Sequence, residues 1–328
     1  MGVDFISSWQ SSHDATVAMI SGDYPFFLGR IGGSDTDAVI EYVACGRPND
    51  AGSLSPSLVH HLAIVERYNG YYDKSRSPGK YLDYCATLLD GYTRCADLVM
   101  CGAKLLTTYF PGVIDPRFHE HLPLKESVDA IINCIESAQG SVRFYPYNFV
   151  ERVVFGTDTL FRAFEKTLSG KKVLVVSPFS RSINGNFHNR HNFFKNYVYP
   201  NFEISTINTP ITYAGLPDDF YPDDDWFQTT TYLKSQLEDT DFDIALLSCG
   251  SYAVPLGIHI RDLLQRKAIY VGGVLQLYFG IMGRRYDNSF FTDQINIENF
   301  IYPVEAQDYM KHVNLHPSAA KEAFGAYF

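Results

Sequence analysis

Chemistry is best supported by residue types at four places in the chain. Gly29-Arg30-Ile31-Gly32-Gly33-Ser34-Asp35-Thr36-Asp37 sets a cation beside two carboxylates two positions apart. Such a pair suits Mg²⁺ or Mn²⁺, which keep several waters and bridge to substrate phosphates. One carboxylate could instead take a proton from an attacking hydroxyl. Acidic residues in a first helical turn also complement the helix dipole with no further role. The other three places are Ser177-Pro178-Phe179-Ser180-Arg181, Ser248-Cys249-Gly250-Ser251-Tyr252 and Gly272-Gly273, with Gln276 just beyond. Small and hydroxylated residues let backbone N–H groups approach a phosphate closely, and Arg181 adds charge. Turn geometry by itself also selects Gly and Ser.

Weaker patterns lie elsewhere. Asp218, Asp219, Asp223, Asp224 and Asp225 fall within eight positions, but Pro222 and the following aspartates make a good helix start before Trp226. His188-Asn189-Arg190-His191 lacks the Glu of a metalloprotease motif, and His60-His61 and His119-Glu120-His121 are no more specific. Cys249 has no recognisable nucleophile partners and reads as a buried thiol. Neither the dinucleotide-binding G-x-G-x-x-G nor the phosphate-cradling G-x-x-x-x-G-K-[ST] occurs, so an oxidoreductase or a P-loop NTPase is disfavoured.

These residues need elements to position them. Tyr24 to Ile31 reads as a strand closed by glycines, with Ser34 opening a helix to about Cys45. Residues 58–71 and 79–95 carry apolar residues at three- and four-residue steps and read as amphipathic helices, as does 124–137. Residues 97–101 read as a second short strand. In the later half, 173–179, 244–249 and 268–271 are apolar runs without polar alternation, each followed by a helical pattern. Strands buried on both faces of a parallel sheet read this way. The expectation is α/β, with a Rossmann-like, mostly parallel sheet flanked by helices. One domain is expected over 1–328: a helix-rich half to about 168, a strand-helix nucleotide-binding half over about 169–287, and a C-terminal arm over about 288–328. Ligand would lie beyond the carboxyl ends of the strands.

Composition bounds the partners. The 328 residues carry a net charge of −10 and no long basic run, which argues against binding nucleic acid through its phosphates. With 46% hydrophobic and 15% aromatic residues a large core is assured. Six cysteines form no CxxC pair, and the N-terminus has no basic-then-apolar leader, so a reducing, cytoplasmic setting is expected. The longest uncharged stretch, 268–283, is 16 residues and glycine-broken, too short to span a bilayer.

Residues 241–257 and 267–287, together with 173–183, the Asp225-Trp226 pair and Arg30 to Asp35, resemble the GT-D fold-like proteins, relatives of bacterial GT-D glycosyltransferases. The resemblance runs over roughly 25–310 and is most specific in 241–287. It implies a GT-D-like fold and transfer of a sugar from a nucleotide-diphosphate donor, UDP- or GDP-linked, to a glycan acceptor in polysaccharide synthesis. The family's Arg-Phe-Gly-Asp-Gly-Glu falls on Arg30 to Asp35, with Gly33 at the first acid and Asp35 at the second. Asp37 would restore a pair for Mn²⁺ or Mg²⁺. On this reading Arg30, Asp35 and Asp37 carry catalysis. Gly32, Gly33, Ser177, Ser180, Arg181, Gly250, Ser251, Tyr252, Gly272, Gly273 and Gln276 bind substrate, and Tyr71, Tyr72, Trp226 and Tyr278 floor the acceptor site. The alternative is a non-catalytic nucleotide-sugar or glycan-binding partner in a polysaccharide assembly complex.

Overall fold

A computed structural model describes residues 2–5, 9–31, 34–49, 54–100, 125–139, 141–146, 160–212, 218–283, 286 and 295–307. Gly32, Gly33, the His119-Glu120-His121 group and most of the expected C-terminal arm lie outside the described residues.

Among the described residues eight strands form one sheet in which every pair is parallel. In chain order they are β1 (Gly2–Phe5), β2 (Phe26–Ile31), β3 (Asp97–Met100), β4 (Ser141–Pro146), β5 (Lys172–Ser177), β6 (Glu203–Asn208), β7 (Ile244–Leu247) and β8 (Lys267–Tyr270). The spatial order is β1-β4-β3-β2-β8-β7-β5-β6. The expected class, α/β with a parallel sheet flanked by helices, is borne out. The apolar runs are the central strands: Val173 pairs with Ile244 and Ile204, and Ile269 lies between Leu28 and Leu246. Their residues are buried because helices cover both faces. Sequence patterning does not show β1, β4 and β6. Glu203-Ile204-Ser205-Thr206-Ile207-Asn208 lies at an edge, where half-exposed polar residues are tolerated and no continuous apolar run is required.

Among the described residues the α-helices are α1 (Trp9–Ser21), α2 (Ser34–Ala44), α3 (Pro56–Tyr68), α4 (Pro78–Thr93), α5 (Lys125–Gln139), α6 (Leu160–Thr167), α7 (Ser180–Asn186), α8 (Trp226–Glu238), α9 (Ala253–Asp262) and the single turn α10 (Leu275–Tyr278). Ser55 caps α3, its hydroxyl accepting from Leu58 N–H at 3.1 Å with Pro56 at the first helical position. Asp225 caps α8 by accepting from Gln228 N–H at 2.9 Å.

Crossovers between parallel strands are right-handed, so the direction of each step along the sheet decides the face its helix covers. Steps from β2 to β3, β6 to β7 and β7 to β8 run toward β1, which puts α2, α4, α8 and α9 on one face, where α4 packs on α2 and α9 packs on α4 and α8. Steps from β1 to β2, β4 to β5 and β5 to β6 run the other way, and α1 packs on α6. Tyr278 of α10 meets Phe161 and Phe164 of α6, so the chain leaving β8 joins this second face. Across the middle of the sheet the exits therefore alternate: β2 and β7 to one face, β8 and β5 to the other. Such reversals open the carboxyl edge between neighbouring strands. Among the described residues no helix is long and apolar enough to cross a membrane.

Candidate functional site

The exits of β2, β8 and β7 meet at this edge. Arg30, next to last on β2, donates from Nη1 to the Val271 carbonyl at 3.2 Å, and its guanidinium lies 5.6 Å from the Tyr270 ring centroid. A cation over an aromatic face is electrostatically favoured, which fixes the head of a long side chain. Gly272, at φ +78, is where the glycine is needed: a Cβ there would overlap Arg30 Nη1. Backbone conformation and the close approach of the cation both exclude a side chain.

Asp35 follows on the first turn of α2 and is 6% exposed. Its Oδ1 accepts from the Tyr84 hydroxyl of α4 at 2.9 Å, and the Asn69 side chain hydrogen-bonds it as well. Burial pushes its pKa up to about 7, against the lowering effect of the Tyr84 and Asn69 hydrogen bonds and the Arg30 charge; the neighbouring Asp37 carboxylate adds to the rise. A carboxyl in this state can both take and give a proton near neutral pH.

Asn69, the C-cap of α3, ties the exits together. Its Oδ1 accepts from the Ser34 hydroxyl, and its carbonyl accepts from Ser251 N–H at 3.2 Å and Ser251 Oγ at 3.0 Å. Trp226 Nε1 donates to Ser251 Oγ at 3.0 Å. Gly250, at φ +60, is pressed against the same carbonyl, which a Cβ would meet at 2.8 Å. Tyr252 is buried, stacked 5.6 Å from Trp226 with its hydroxyl 3.1 Å from Thr212 Oγ1. Ser251 and Tyr252 thus brace the turn with their side chains, while Gly250 is exposed.

The β5 exit belongs to a separate group. Ser177 Oγ accepts from Phe179 N–H at 3.2 Å, and Ser180 Oγ donates to the Ser177 carbonyl at 3.0 Å and to Asn208 Oδ1 at 2.9 Å. Glu305, 4% exposed, takes Arg181 N–H at 2.9 Å, Ser182 N–H at 3.1 Å and the Ser182 hydroxyl. A carboxylate of the chain itself therefore takes the Arg181 amide, which was expected to face a substrate phosphate, together with that of Ser182. Gly273 is half-buried, its carbonyl accepting from Gln276 N–H at 3.3 Å. Gln276 is 1% exposed and its Nε2 donates to the Ile281 carbonyl at 3.4 Å.

The two expected ligands of Mn²⁺ or Mg²⁺, Asp35 and Asp37, both lie in the first turn of α2. Residues two apart on a helix do not face each other, and Asp35 Oδ1 is already the acceptor of Tyr84. Among the described residues no group of three or more His, Cys, Asp or Glu is gathered as a metal would require. Three of the five aspartates of the run 218–225, Asp218, Asp223 and Asp225, are drawn into an ion pair, a hydroxyl bond and a helix cap. Lys80 Nζ bridges Asp225 at 2.6 Å and Asp73 at 3.2 Å, Arg76 pairs with Asp218 at 2.8 Å, and Asp223 takes the Thr229 hydroxyl at 2.6 Å. His188 and His191 are exposed on a 3₁₀ turn.

One expectation is corrected outright. Tyr71, Tyr72, Trp226 and Tyr278 are at most 2% exposed, so they belong to the core, with no ring face left for a sugar. Tyr84, Asn69, Tyr270 and Glu305 escaped the sequence reading. Asn69-Gly70 carries a helix-stop signal, but a buried Tyr in a helical pattern is indistinguishable from any other core aromatic.

No protein-family model and no curated protein matches the chain. A solved structure described as "The highly conserved domain of unknown function 1792 has a distinct glycosyltransferase fold" is similar to it at a TM-score of 0.46 and 11% identity, over 95% of this chain and 94% of that one. At that level the chemistry rests on this chain's own residues.

Proposed function

We propose that the protein is a glycosyltransferase acting on a UDP- or GDP-linked sugar donor and a glycan acceptor. The observation that carries the reading is a buried carboxyl whose pKa is about 7, Asp35, beside the anchored Arg30 guanidinium at the carboxyl edge of a parallel sheet. Asp35 takes the proton of the acceptor hydroxyl as its oxygen bonds to the anomeric carbon. The bond from that carbon to the diphosphate breaks, and the electron pair leaves with the diphosphate. Arg30 meets the charge that grows on the leaving group, with the Gly250 and Gly272-Gly273 backbone close by. Charge-assisted contacts of this kind favour the transition state over the ground state.

Turnover of UDP- and GDP-sugars by the wild type, Asp35→Asn and Arg30→Met tests this. Asp35→Asn is expected to lower kcat by about 100-fold or more with little change in nucleotide affinity. Arg30→Met is expected to weaken nucleotide binding by about tenfold. Glu305 on the β5 exit favours a second reading, a non-catalytic nucleotide-sugar or glycan-binding protein, since it removes one surface from the donor. Nucleotide-sugar binding without turnover by the wild type would select it. A wild type that neither binds nor turns over any of these donors discards both.

A further inference from the structure

The geometry points to Tyr84, assisted by Asn69, as the positioning residue that holds Asp35 toward the acceptor. The inference rests on the proposed sugar transfer and names residues that touch neither substrate.

A carboxylate on a helix has two side-chain torsions, and its catalytic use depends on which oxygen faces the reacting hydroxyl. Tyr84 decides this by geometry. Its hydroxyl donates to Asp35 Oδ1 at 2.9 Å, and its ring is wedged 4.6 Å from Tyr71 and edge-on at 5.1 Å from Trp226. With 0% exposure the phenol has no room to swing. Burial and then the Asp35 charge hold its ionisation well above the ordinary tyrosine range, so it remains a donor throughout the working pH range. Asn69 is oriented just as firmly. Its Oδ1 is taken by the Ser34 hydroxyl, which turns the amide nitrogen to Asp35. Because the Asn69 carbonyl also holds Ser251, the residue that orients the base is bonded to the turn proposed to lie near the donor.

Tyr84→Phe keeps the ring and removes the donor. It is expected to lower kcat about tenfold, as loss of one hydrogen bond to a charged group would. KM and nucleotide affinity should stay within about twofold, and Tm within a few degrees. Asn69→Ala provides a second, independent variant and should lower kcat in the same direction. Unchanged kcat in Tyr84→Phe, with Asp35→Asn inactive, overturns the positioning role and leaves the base assignment standing. A parallel fall in kcat, affinity and Tm in both variants shows a structural role and also overturns it. Full activity in Asp35→Asn, or no turnover by the wild type, overturns the base assignment and this inference together.

Discussion

At the scale of the residue, Asp35 is the group whose state most separates function from stability. Its folded-state pKa, about 7, lies above the ordinary value of 3.8, so the folded chain holds that proton more tightly than the unfolded chain does. The stability gained from the neutral form is present in full below pH 3.8 and is lost as pH rises through about 7. At about pH 8 a buried charge remains, at a cost of up to about 4 kcal/mol. Asp35→Asn is therefore expected to be more stable than the wild type above neutrality, with the difference shrinking toward pH 4 in paired thermal melts. Equal melting temperatures at about pH 8 would contradict the burial. A group kept in a state that weakens the fold is a mark of a functional site more than of a structural one. Asp73 shows the contrast. Burial opposes its charge too, but Ser75, Ser77 and Lys80 outweigh that and hold its pKa below the ordinary range, as a structural carboxylate requires.

At the scale of the element, α9 is placed by glycines. A Cβ on Gly257 would overlap the Phe27 ring of β2, and one on Gly91 of α4 would overlap Val254 of α9. Helix and sheet approach closely because these side chains are missing, and that approach carries the Gly250 turn to Asn69. Gly257→Ala is expected to destabilise by about 1–3 kcal/mol through overpacking. Adding Phe27→Leu should restore part of the loss, and denaturant titrations of both single variants and the double variant measure the coupling. Additive effects would mean that the two residues do not share the contact. Most of the elements were legible in the sequence. Helices α2, α3 and α4 and strands β2, β5, β7 and β8 lie within a few residues of their expected bounds, since a periodic apolar pattern is a local property. Strands β1 and β6 were not, because they lie at the edges of the sheet, and in β4, inside the sheet, the exposed Arg143 interrupts the apolar run. Gly257 looks like an ordinary helix interruption until Phe27 is seen beneath it.

At the scale of the whole molecule, the segment 295–307 is stitched across the carboxyl edge. Ile301 bridges Ile281, Asn296 N–H donates to the Phe193 carbonyl at 2.9 Å, and Glu305 is bonded to the start of α7. Glu305→Ala leaves two N–H groups and a hydroxyl without their acceptor and is expected to cost about 1–3 kcal/mol locally. Hydrogen exchange should quicken in 295–307 and at Arg181 and Ser182 while β5 and β7 stay protected. Uniform exchange across the molecule, or none, would deny the segment a separate role. The reach of the sequence ends at this scale. Alone it determined the α/β class, the central strands and the places where each strand exit could do chemistry, because patterning and turn composition are set within a few residues. Tertiary structure decided which exits meet. It set Arg30 against Gly272, tied Asp35 to Tyr84 and Ser34 to Ser251 through Asn69, gave the β5 exit to Glu305, and took Tyr71, Tyr72, Trp226 and Tyr278 into the core. Those outcomes depend on contacts between residues as many as 241 positions apart, such as Arg30 with Val271, and on burial that a chain acquires only when its faces close.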